Sequence, residues 1–405
     1  MRRRTYLAKG LRGFAYPTPN EPQRATGPRH EHELLLIAMK PKVFHYPIPG
    51  NPTGGILHIY GEPTPRQDLI FYCGGFPDGL EPFSNLAKRL ATNRNENDDR
   101  GCYVGVTCFP GFEYEMYKQK EFRRSGYSFD EVTCCIRDAI DILHREHAKG
   151  TAAAGDDKIN TTFTLITHDW GALIGHMYVN RSIEANSILF RKPDRVVMLD
   201  VLLFPHRRSN YQEVLNRLYK QLYIPTTREK LVVLTYRVAF AISFAMSVHM
   251  SETIGLITMG IMVTIVFKIL KLNPLKSVDN AQMNIKNMDP KHFLYMMYPY
   301  YHMFKELFKG PPNSFTEGTL PLDLKQTPVL YIYGALKNVM FHDYRSVALL
   351  EREEKEGLSE SRVVRIAEAG HWMYVTYPDI CEDEIRKFLK GGGERGSSNR
   401  SQSRL

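Results

Sequence analysis

The sequence predicts an α/β protein in which a doubly wound, mainly parallel sheet carries an inserted helical cap. Two observations lead to this prediction. From about residue 55, β-rich runs alternate with helical runs, an order typical of parallel sheets covered by helices. Between Leu199 and Pro328 the alternation stops, and a long stretch of helical pattern with almost no strand signal takes its place. That stretch is expected to be the cap.

Strands are expected where β-branched and aromatic residues cluster between turn signals. These are residues 56–60, 69–73, 103–108, 163–167, 195–199, 328–333 and 362–366. Residues 129–145 are expected to form a helix, because Val132, Ile136, Ile140 and Leu143 recur at helical spacing. Strand and helix therefore alternate on both sides of the cap.

The chain is expected to have four parts. Residues 1–40 form a basic, flexible N-terminal segment, and residues 201–319 form the helical cap. Residues 41–200 and 320–390 together form the core. Residues 391–405 consist mainly of Gly, Ser and Arg and are expected to be a disordered tail.

Composition excludes several classes of function. The net charge is +9, but the two ends of the chain supply most of it, so a basic nucleic-acid groove on the folded part is not expected. The six cysteines have no Cys-x-x-Cys spacing, and they are too few for a disulfide scaffold. No nucleic-acid partner, metal or other cofactor is expected.

One candidate nucleophile is Asp169, which lies between a β-branched strand and a helix. A strand–turn–helix context of this kind projects a nucleophile from the top of a sheet, beside the N–H groups of a helix N-terminus. A carboxylate there can attack an electrophilic carbon, and activated water can then hydrolyse the resulting ester. Taken alone, the same position would also suit a helix N-cap.

Three motifs follow one another in order, each at the end of a strand: Gly-Phe-Pro at 75–77, His-Asp-Trp-Gly at 168–171 and Gly-His-Trp at 370–372. Together they resemble the epoxide hydrolase and haloalkane dehalogenase branch of the α/β-hydrolase superfamily. The resemblance covers about residues 50–390 and implies the α/β-hydrolase fold.

The resemblance also implies roles for individual residues. Asp169 would be the nucleophile and His371 the base that activates water. The backbone N–H groups of Phe76 and Trp170 would form the oxyanion hole. Two tyrosines of the cap would hydrogen-bond the epoxide oxygen, and Tyr300 or Tyr301 lies where one of them is expected. The other tyrosine has no counterpart that the sequence identifies.

Two positions are open for the acid that orients His371. Relatives usually carry it shortly after the glycine that ends the preceding strand, where this sequence has Lys337 and Asn338, and Asp343 is the nearest carboxylate. Some dehalogenases carry it at the end of an earlier strand, which corresponds to Asp200. The sequence favours Asp200, although a structural role at the strand end is an alternative for that residue.

The predicted reaction is the opening of an epoxide, or attack on a related electrophilic carbon, in a hydrophobic small molecule. A haloalkane dehalogenase is less favoured, because it needs a second halide ligand besides Trp170, and the remaining candidate is Trp372 beside the base. A lipid esterase-like protein is disfavoured because the turn has no serine. A non-catalytic protein that binds a lipid or a partner is a further alternative, favoured by the acid missing after Gly334.

Residues 231–270 are unusually apolar, and Ile254 to Phe267 carry no charge. Such a stretch is suited to contact with a membrane or lipid surface, or to burial in the cap. The sequence ends in Ser403-Arg404-Leu405, which resembles a Ser-Lys-Leu peroxisomal signal and implies a peroxisomal import receptor as a partner. A membrane or lipid-droplet surface is the alternative location.

Overall fold

The structure is a computed structural model. It describes residues 36, 38–65, 67–92, 101–119, 122–153, 161–183, 189–202, 227–270, 288–310, 322, 324, 326–337, 340–342 and 344–398. The chain divides into two compact units, residues 1–39 and residues 40–405. Of the first unit, Leu36, Ala38 and Met39 are among the described residues. The elements below all belong to the second unit.

Within the described residues, eight strands form one mainly parallel sheet. They are β1 (Lys42–Ile48), β2 (Asn51–Tyr60), β3 (Asp68–Cys73), β4 (Cys102–Thr107), β5 (Phe163–His168), β6 (Arg195–Leu199), β7 (Val329–Gly334) and β8 (Arg362–Ile366). Their order across the sheet is β1-β2-β4-β3-β5-β6-β7-β8. The pairings of β2 with β1 and β4 are antiparallel, and the others are parallel.

Helices connect most of the strands. They are α1 (Glu81–Ala91), α2 (Tyr114–Tyr117), α3 (Phe129–Ala153), α4 (Trp170–Ile183), α5 (Thr227–His249), α6 (Glu252–Val263), α7 (Pro290–Met296), α8 (Tyr298–Lys309), α9 (Tyr344–Lys355), α10 (Met373–Thr376) and α11 (Pro378–Ser398). A π-helix, Thr264–Ile269, continues α6. Because α5 to α8 lie between β6 and β7, they form a helical cap, and the predicted α/β-hydrolase fold with a cap is confirmed.

The structure differs from the sequence prediction at the two ends of the described chain. Strand β1 was not predicted, because it contains Pro47 and an exposed Lys42. Among the eight described strands it pairs only with β2, and an edge strand tolerates proline. The expected disorder from residue 391 does not hold as far as Ser398, since α11 continues to that residue. Extending an existing helix costs less than starting one, and α11 is anchored by the buried Ile385 and Phe388. The terminal Ser403-Arg404-Leu405 lies outside the described residues, so its role as a peroxisomal targeting signal stays a prediction.

The register of the central strands brings three loops together. Cys73 of β3 pairs with Thr167 of β5, and His168 of β5 pairs with Leu199 of β6. Parallel strands present their carboxyl ends at one edge of the sheet, where ligands bind in open α/β folds. The loop after Cys73 therefore lies beside Asp169 and Asp200, each of which directly follows its strand.

Candidate active site

Asp169 occupies the sharp turn between β5 and α4. Its φ angle is 50°, a left-handed conformation that is uncommon outside glycine. The loop after β3 approaches this turn closely. A Cβ atom on Gly75 would lie 2.6 Å from Cβ of Asp169 and 2.5 Å from the backbone nitrogen of Trp170. Glycine at position 75 therefore lets the loop contact the turn.

The Asp169 carboxylate is held by that loop. The backbone N–H of Phe76 donates a hydrogen bond of 2.9 Å to Oδ1 of Asp169. Trp170, whose N–H is the second predicted oxyanion-hole donor, is the first residue of α4. Among the described contacts, Phe76 is the donor to the carboxylate and the Trp170 N–H is not. One carboxylate oxygen is thus bound by a backbone N–H, and the other faces His371.

His371 lies in the loop after β8 and places its ring between two carboxylates. Its Nε2 atom is 3.5 Å from Oδ2 of Asp169. Its Nδ1 atom donates a hydrogen bond to Oδ2 of Asp200. The His371 side chain is only 4% exposed. One ring nitrogen is therefore fixed, and the other is presented to Asp169.

Asp200 is the residue that contacts His371, as the sequence favoured, whereas Asp343 lies outside the described residues. Asp200 follows β6 with a φ angle of 67°. A second partner was not predicted: Nζ of Lys337 donates a hydrogen bond to Oδ1 of Asp200, and both side chains are fully buried. The sequence signal was the lysine itself, at a position where relatives carry the acid.

These charges determine the protonation of the site. Burial acts to raise the pKa of Asp200, but Lys337 and His371 outweigh it and lower the pKa to about 2. Burial acts to lower the pKa of His371, but Asp200 and Asp169 outweigh it and raise the pKa to about 10. At neutral pH, the site without substrate therefore holds an imidazolium between two carboxylates.

A second aspartate–histidine pair lies beside His371, and sequence reasoning missed it. Nδ1 of His168 lies 2.6 Å from Oδ2 of Asp78, and Nε2 of His168 lies 3.1 Å from the backbone oxygen of His371, both within hydrogen-bond distance. The indole N–H of Trp372 and the hydroxyl of Tyr374 also donate to Asp78, over 2.8 Å and 2.9 Å. The sequence signal was that Asp78 directly follows the first of the three motifs and His168 begins the second. The network ties the loop after β3 to the loop of the base.

Two cap tyrosines lie near Asp169. The ring of Tyr300, on α8, is 5.3 Å from that of Phe76 and 5.1 Å from that of Trp170. The ring of Tyr236, on α5, is 5.9 Å from that of Tyr300. Burial raises the pKa of both phenols, and the Asp169 charge acts in the same direction. Tyr236 is therefore the candidate for the cap tyrosine that the sequence did not identify.

Tyr301, the other predicted candidate on α8, has different neighbours. Its hydroxyl is 3.1 Å from Nε2 of His249, and its ring is 5.5 Å from that of Phe244. Arg237 was not predicted, and its Nε donates to the Tyr236 hydroxyl over 3.4 Å. Burial raises the pKa of Tyr236, and Arg237 opposes that shift. The cap thus brings two phenols and a guanidinium to the site, without Tyr301.

No family model and no curated protein matches this chain. Among solved structures it is similar to a haloalkane dehalogenase from Bradyrhizobium elkanii, with 12% identity, a TM-score of 0.49, and 89% of this chain and 99% of that chain covered. It is also similar to an epoxide hydrolase from metagenomes of hot environments, with 16% identity, a TM-score of 0.48, and coverage of 87% and 100%. A juvenile hormone epoxide hydrolase from the silkworm Bombyx mori has 12% identity, a TM-score of 0.46, and coverage of 89% and 81%.

The fold and the site together show one arrangement of three reacting side chains. The chain has an α/β-hydrolase fold that carries a carboxylate at the strand–helix turn, a histidine beside it and a second carboxylate behind the histidine. The chemistry open to this site follows from the positions of these two carboxylates and the histidine.

Proposed function

We propose that the protein is a hydrolase that opens the epoxide ring of a hydrophobic substrate through a covalent ester on Asp169. One observation carries the proposal. Oδ1 of Asp169 accepts the Phe76 N–H, whereas Oδ2 lies 3.5 Å from Nε2 of His371, so the nucleophile and the base are adjacent. Tyr236 and Tyr300, which are near the same carboxylate, are positioned as acids for the ring oxygen.

In the first half of the reaction, Oδ2 of Asp169 attacks one ring carbon, and the bond between that carbon and the ring oxygen breaks. The oxygen takes a proton from a tyrosine phenol, which leaves a hydroxyalkyl ester and a phenolate. A positioned acid of this kind accelerates ring opening because the strained ether is a poor leaving group. Arg237 hydrogen-bonds Tyr236 and stabilises negative charge on it.

In the second half, Nε2 of His371 takes a proton from water, and the hydroxide attacks the ester carbonyl carbon. Negative charge then develops on Oδ1, the oxygen that already accepts the Phe76 N–H. The ester bond breaks, the imidazolium protonates the departing alkoxide, and a diol leaves. The proton on the new Asp169 carboxylic acid returns to the phenolate.

The pKa of His371 supports this order of events. Asp169 is one of the two carboxylates that raise the pKa of the ring to about 10. Esterification removes the Asp169 charge, so the pKa of His371 falls, the imidazolium releases its Nε2 proton to solvent, and the neutral ring can act as a base. The ring takes up a proton again when hydrolysis restores the Asp169 carboxylate. The base is therefore activated only after the covalent intermediate has formed.

Other chemistries fit the site less well. A halide would need a second donor besides Trp170, but the indole N–H of Trp372 already donates to Asp78. A serine esterase is disfavoured because Asp169 occupies the turn. The hydrogen-bonded His371 and Asp200 disfavour a purely non-catalytic protein, because binding alone does not require a base held in this way.

Mass spectrometry tests the proposal directly. The His371→Asn variant should accumulate an ester on the Asp169 peptide after incubation with styrene oxide, because the second half of the reaction lacks its base. The Asp169→Ala/His371→Asn double variant is the matched control. A single turnover of wild type in ¹⁸O-labelled water should place ¹⁸O in Asp169. An unmodified Asp169 peptide in both experiments would refute the covalent mechanism.

A further inference from the structure

The helix α6 and its π-helical continuation expose an unusual amount of apolar surface. Of the apolar stretch Glu252–Ile269, 11% is buried. Ile257, Ile261, Ile265 and Ile269 are 58%, 53%, 40% and 67% exposed. Residues four apart lie on one side of a helix, so these four side chains form a continuous ridge, here called the isoleucine ridge.

Along the sequence of Glu252–Ile269, the charged residues lie only near the ends. Glu252, at the start of α6, forms an ion pair with Lys291. The next charged residue is Lys268, one residue before the last isoleucine, and Lys271 follows in the sequence. Lysine side chains at the end of an apolar helix can extend to lipid headgroups while their stems stay in the apolar layer. The charge pattern therefore matches a lipid interface.

The geometry of α6 favours lipid over a protein partner. Among the described residues of α6 and its π-helical continuation, Gly255 and Val266 are buried, and the other positions are exposed or half-buried. A second protein would cover one stripe, whereas lipid covers the whole exposed circumference. A Cβ on Gly255 would lie 2.5 Å from Cβ of Ser247, so α6 packs tightly on α5.

Helix α5 stays with the protein, because half of its apolar stretch Leu231–His249 is buried. The pair of helices therefore cannot cross a bilayer without unpacking the cap. An apolar helix fixed on one side to the protein lies in the plane of the membrane surface instead.

We propose that the isoleucine ridge binds the surface of a lipid bilayer and that hydrophobic substrate enters the active site from there. A chain of aromatic rings connects the two places. The ring of Phe267, in the π-helix, is 6.3 Å from that of Phe240 on α5, which is 5.6 Å from that of Phe76 beside the nucleophile. The entry route rests on the proposed function; the membrane contact does not.

Flotation with phosphatidylcholine vesicles tests the contact without any activity measurement. The full-length protein should float with the vesicles, and the variant Ile257→Gln/Ile261→Gln/Ile265→Gln should lose at least about tenfold in vesicle partitioning, because each change removes an apolar side chain from the interface. The matched control is Leu189→Gln/Leu358→Gln/Ile380→Gln, whose exposed apolar side chains lie elsewhere. Equal flotation of the two triple variants would overturn the proposal.

A second measurement excludes a second copy of the chain as the occupant. Light scattering should give the same mass for wild type and for the ridge variant. If wild type is a dimer and the ridge variant is a monomer, the bilayer assignment is overturned.

Activity tests the entry route. The ridge variant should hydrolyse dissolved styrene oxide like wild type but lose activity on an epoxy fatty acid held in vesicles. If wild type hydrolyses neither substrate, the proposed function fails while the flotation result stands.

The buried pair of Lys337 and Asp200 carries a second inference. Lys337 Nζ lies 5.3 Å from the ring centre of Phe341, and Asp200 is the carboxylate that pairs with it among the described residues. His342 adds no opposing charge at neutral pH, because burial and Lys337 lower its pKa to about 4. The Lys337 cation therefore acts mainly on Asp200.

We infer that Lys337 is a positioning residue that holds the Asp200 carboxylate toward His371 and limits how strongly Asp200 stabilises the imidazolium. The titratable groups around His371 are Asp169, Asp200 and His168, with Asp78 behind His168. Among the described residues, Lys337 is the cation that directly contacts one of the two carboxylates beside His371. Without it, Asp200 would keep the base protonated to higher pH.

The test compares Lys337→Met with Lys337→Arg, which keeps the cation. NMR titration of the His371 ring should give a pKa higher by about one unit in Lys337→Met than in wild type, and Lys337→Arg should stay near wild type. This readout needs no substrate and is independent of the proposed function. In turnover assays the acid limb of the Lys337→Met profile should move to higher pH. An unchanged ring pKa in a folded Lys337→Met protein would refute the inference.

Discussion

Oδ2 of Asp169 lies 3.5 Å from Nε2 of His371, while Oδ1 of the same carboxylate accepts the Phe76 N–H over 2.9 Å. The two oxygens are thus distinguished before any substrate binds. The oxygen beside the base can attack, and the oxygen beside the N–H can carry the charge that develops when the ester is hydrolysed.

Replacing Asp169 tests whether this carboxylate is the nucleophile. Asp169→Ala is expected to reduce turnover of an epoxide to below about a thousandth of wild type, because the variant lacks the carboxylate that forms the ester. Circular dichroism should show an intact fold, since Asp169 is half-buried in the turn after β5 and does not fill the core. Turnover that remains well above that level would remove Asp169 from the mechanism.

The two candidate acids can be separated by matched variants. Asp200→Asn should lower turnover by about ten-thousandfold, because His371 loses the carboxylate that orients its ring and stabilises the imidazolium. Asp343→Asn should leave turnover nearly unchanged. Steady-state kinetics on both variants decide the matter, and the reverse pattern would assign the acid to Asp343.

The cap tyrosines allow a similar comparison. Tyr300→Phe and Tyr236→Phe should each lower the rate of ester formation by about a hundredfold, since each removes a proton donor near the ring oxygen. Tyr301→Phe is the control on the same helix, and its hydroxyl contacts His249 instead. Burst kinetics measure the step, and an equal loss in Tyr301→Phe would indicate a general effect on the cap.

The stability of the protein should depend on pH through His371. The folded state raises the pKa of the ring to about 10 from an ordinary value of 6.5, so the charged ring stabilises the fold. This contribution is complete below the ordinary pKa and is lost as pH rises through the folded pKa. Thermal unfolding across this range should therefore show a smaller decline in His371→Asn than in wild type. Parallel curves for the two proteins would show that the ring is not charged in the fold.

Much of the fold was predictable because its signals are local. Strands such as 195–199 and 362–366 occur where the clusters of β-branched residues place them. Strand β1 was missed because an edge strand buries few side chains, so its sequence lacks the apolar run of a central strand. Asp200 was predictable in part, because the end of a core strand is itself a recognisable position.

The rest of the site depends on contacts that no sequence pattern records. Lys337 and Asp200 are 137 residues apart, and His168 and Asp78 are 90 apart. Tyr236 lies in an apolar helix where a tyrosine has no distinguishing neighbour, and only the packing of α5 on α8 brings its ring to Tyr300. These residues can be recognised as one site only when the three-dimensional positions of the strands and the cap helices are known.

The chain contains two tryptophans, and both lie in the candidate site. Trp170 is half-buried beside Tyr300, whereas Trp372 is 1% exposed and hydrogen-bonded to Asp78. The intrinsic fluorescence of the unlabelled protein is therefore a local optical probe. A ligand that enters beneath the cap changes the surroundings of Trp170 and leaves those of Trp372 nearly constant, so binding can be followed in real time before any product is identified.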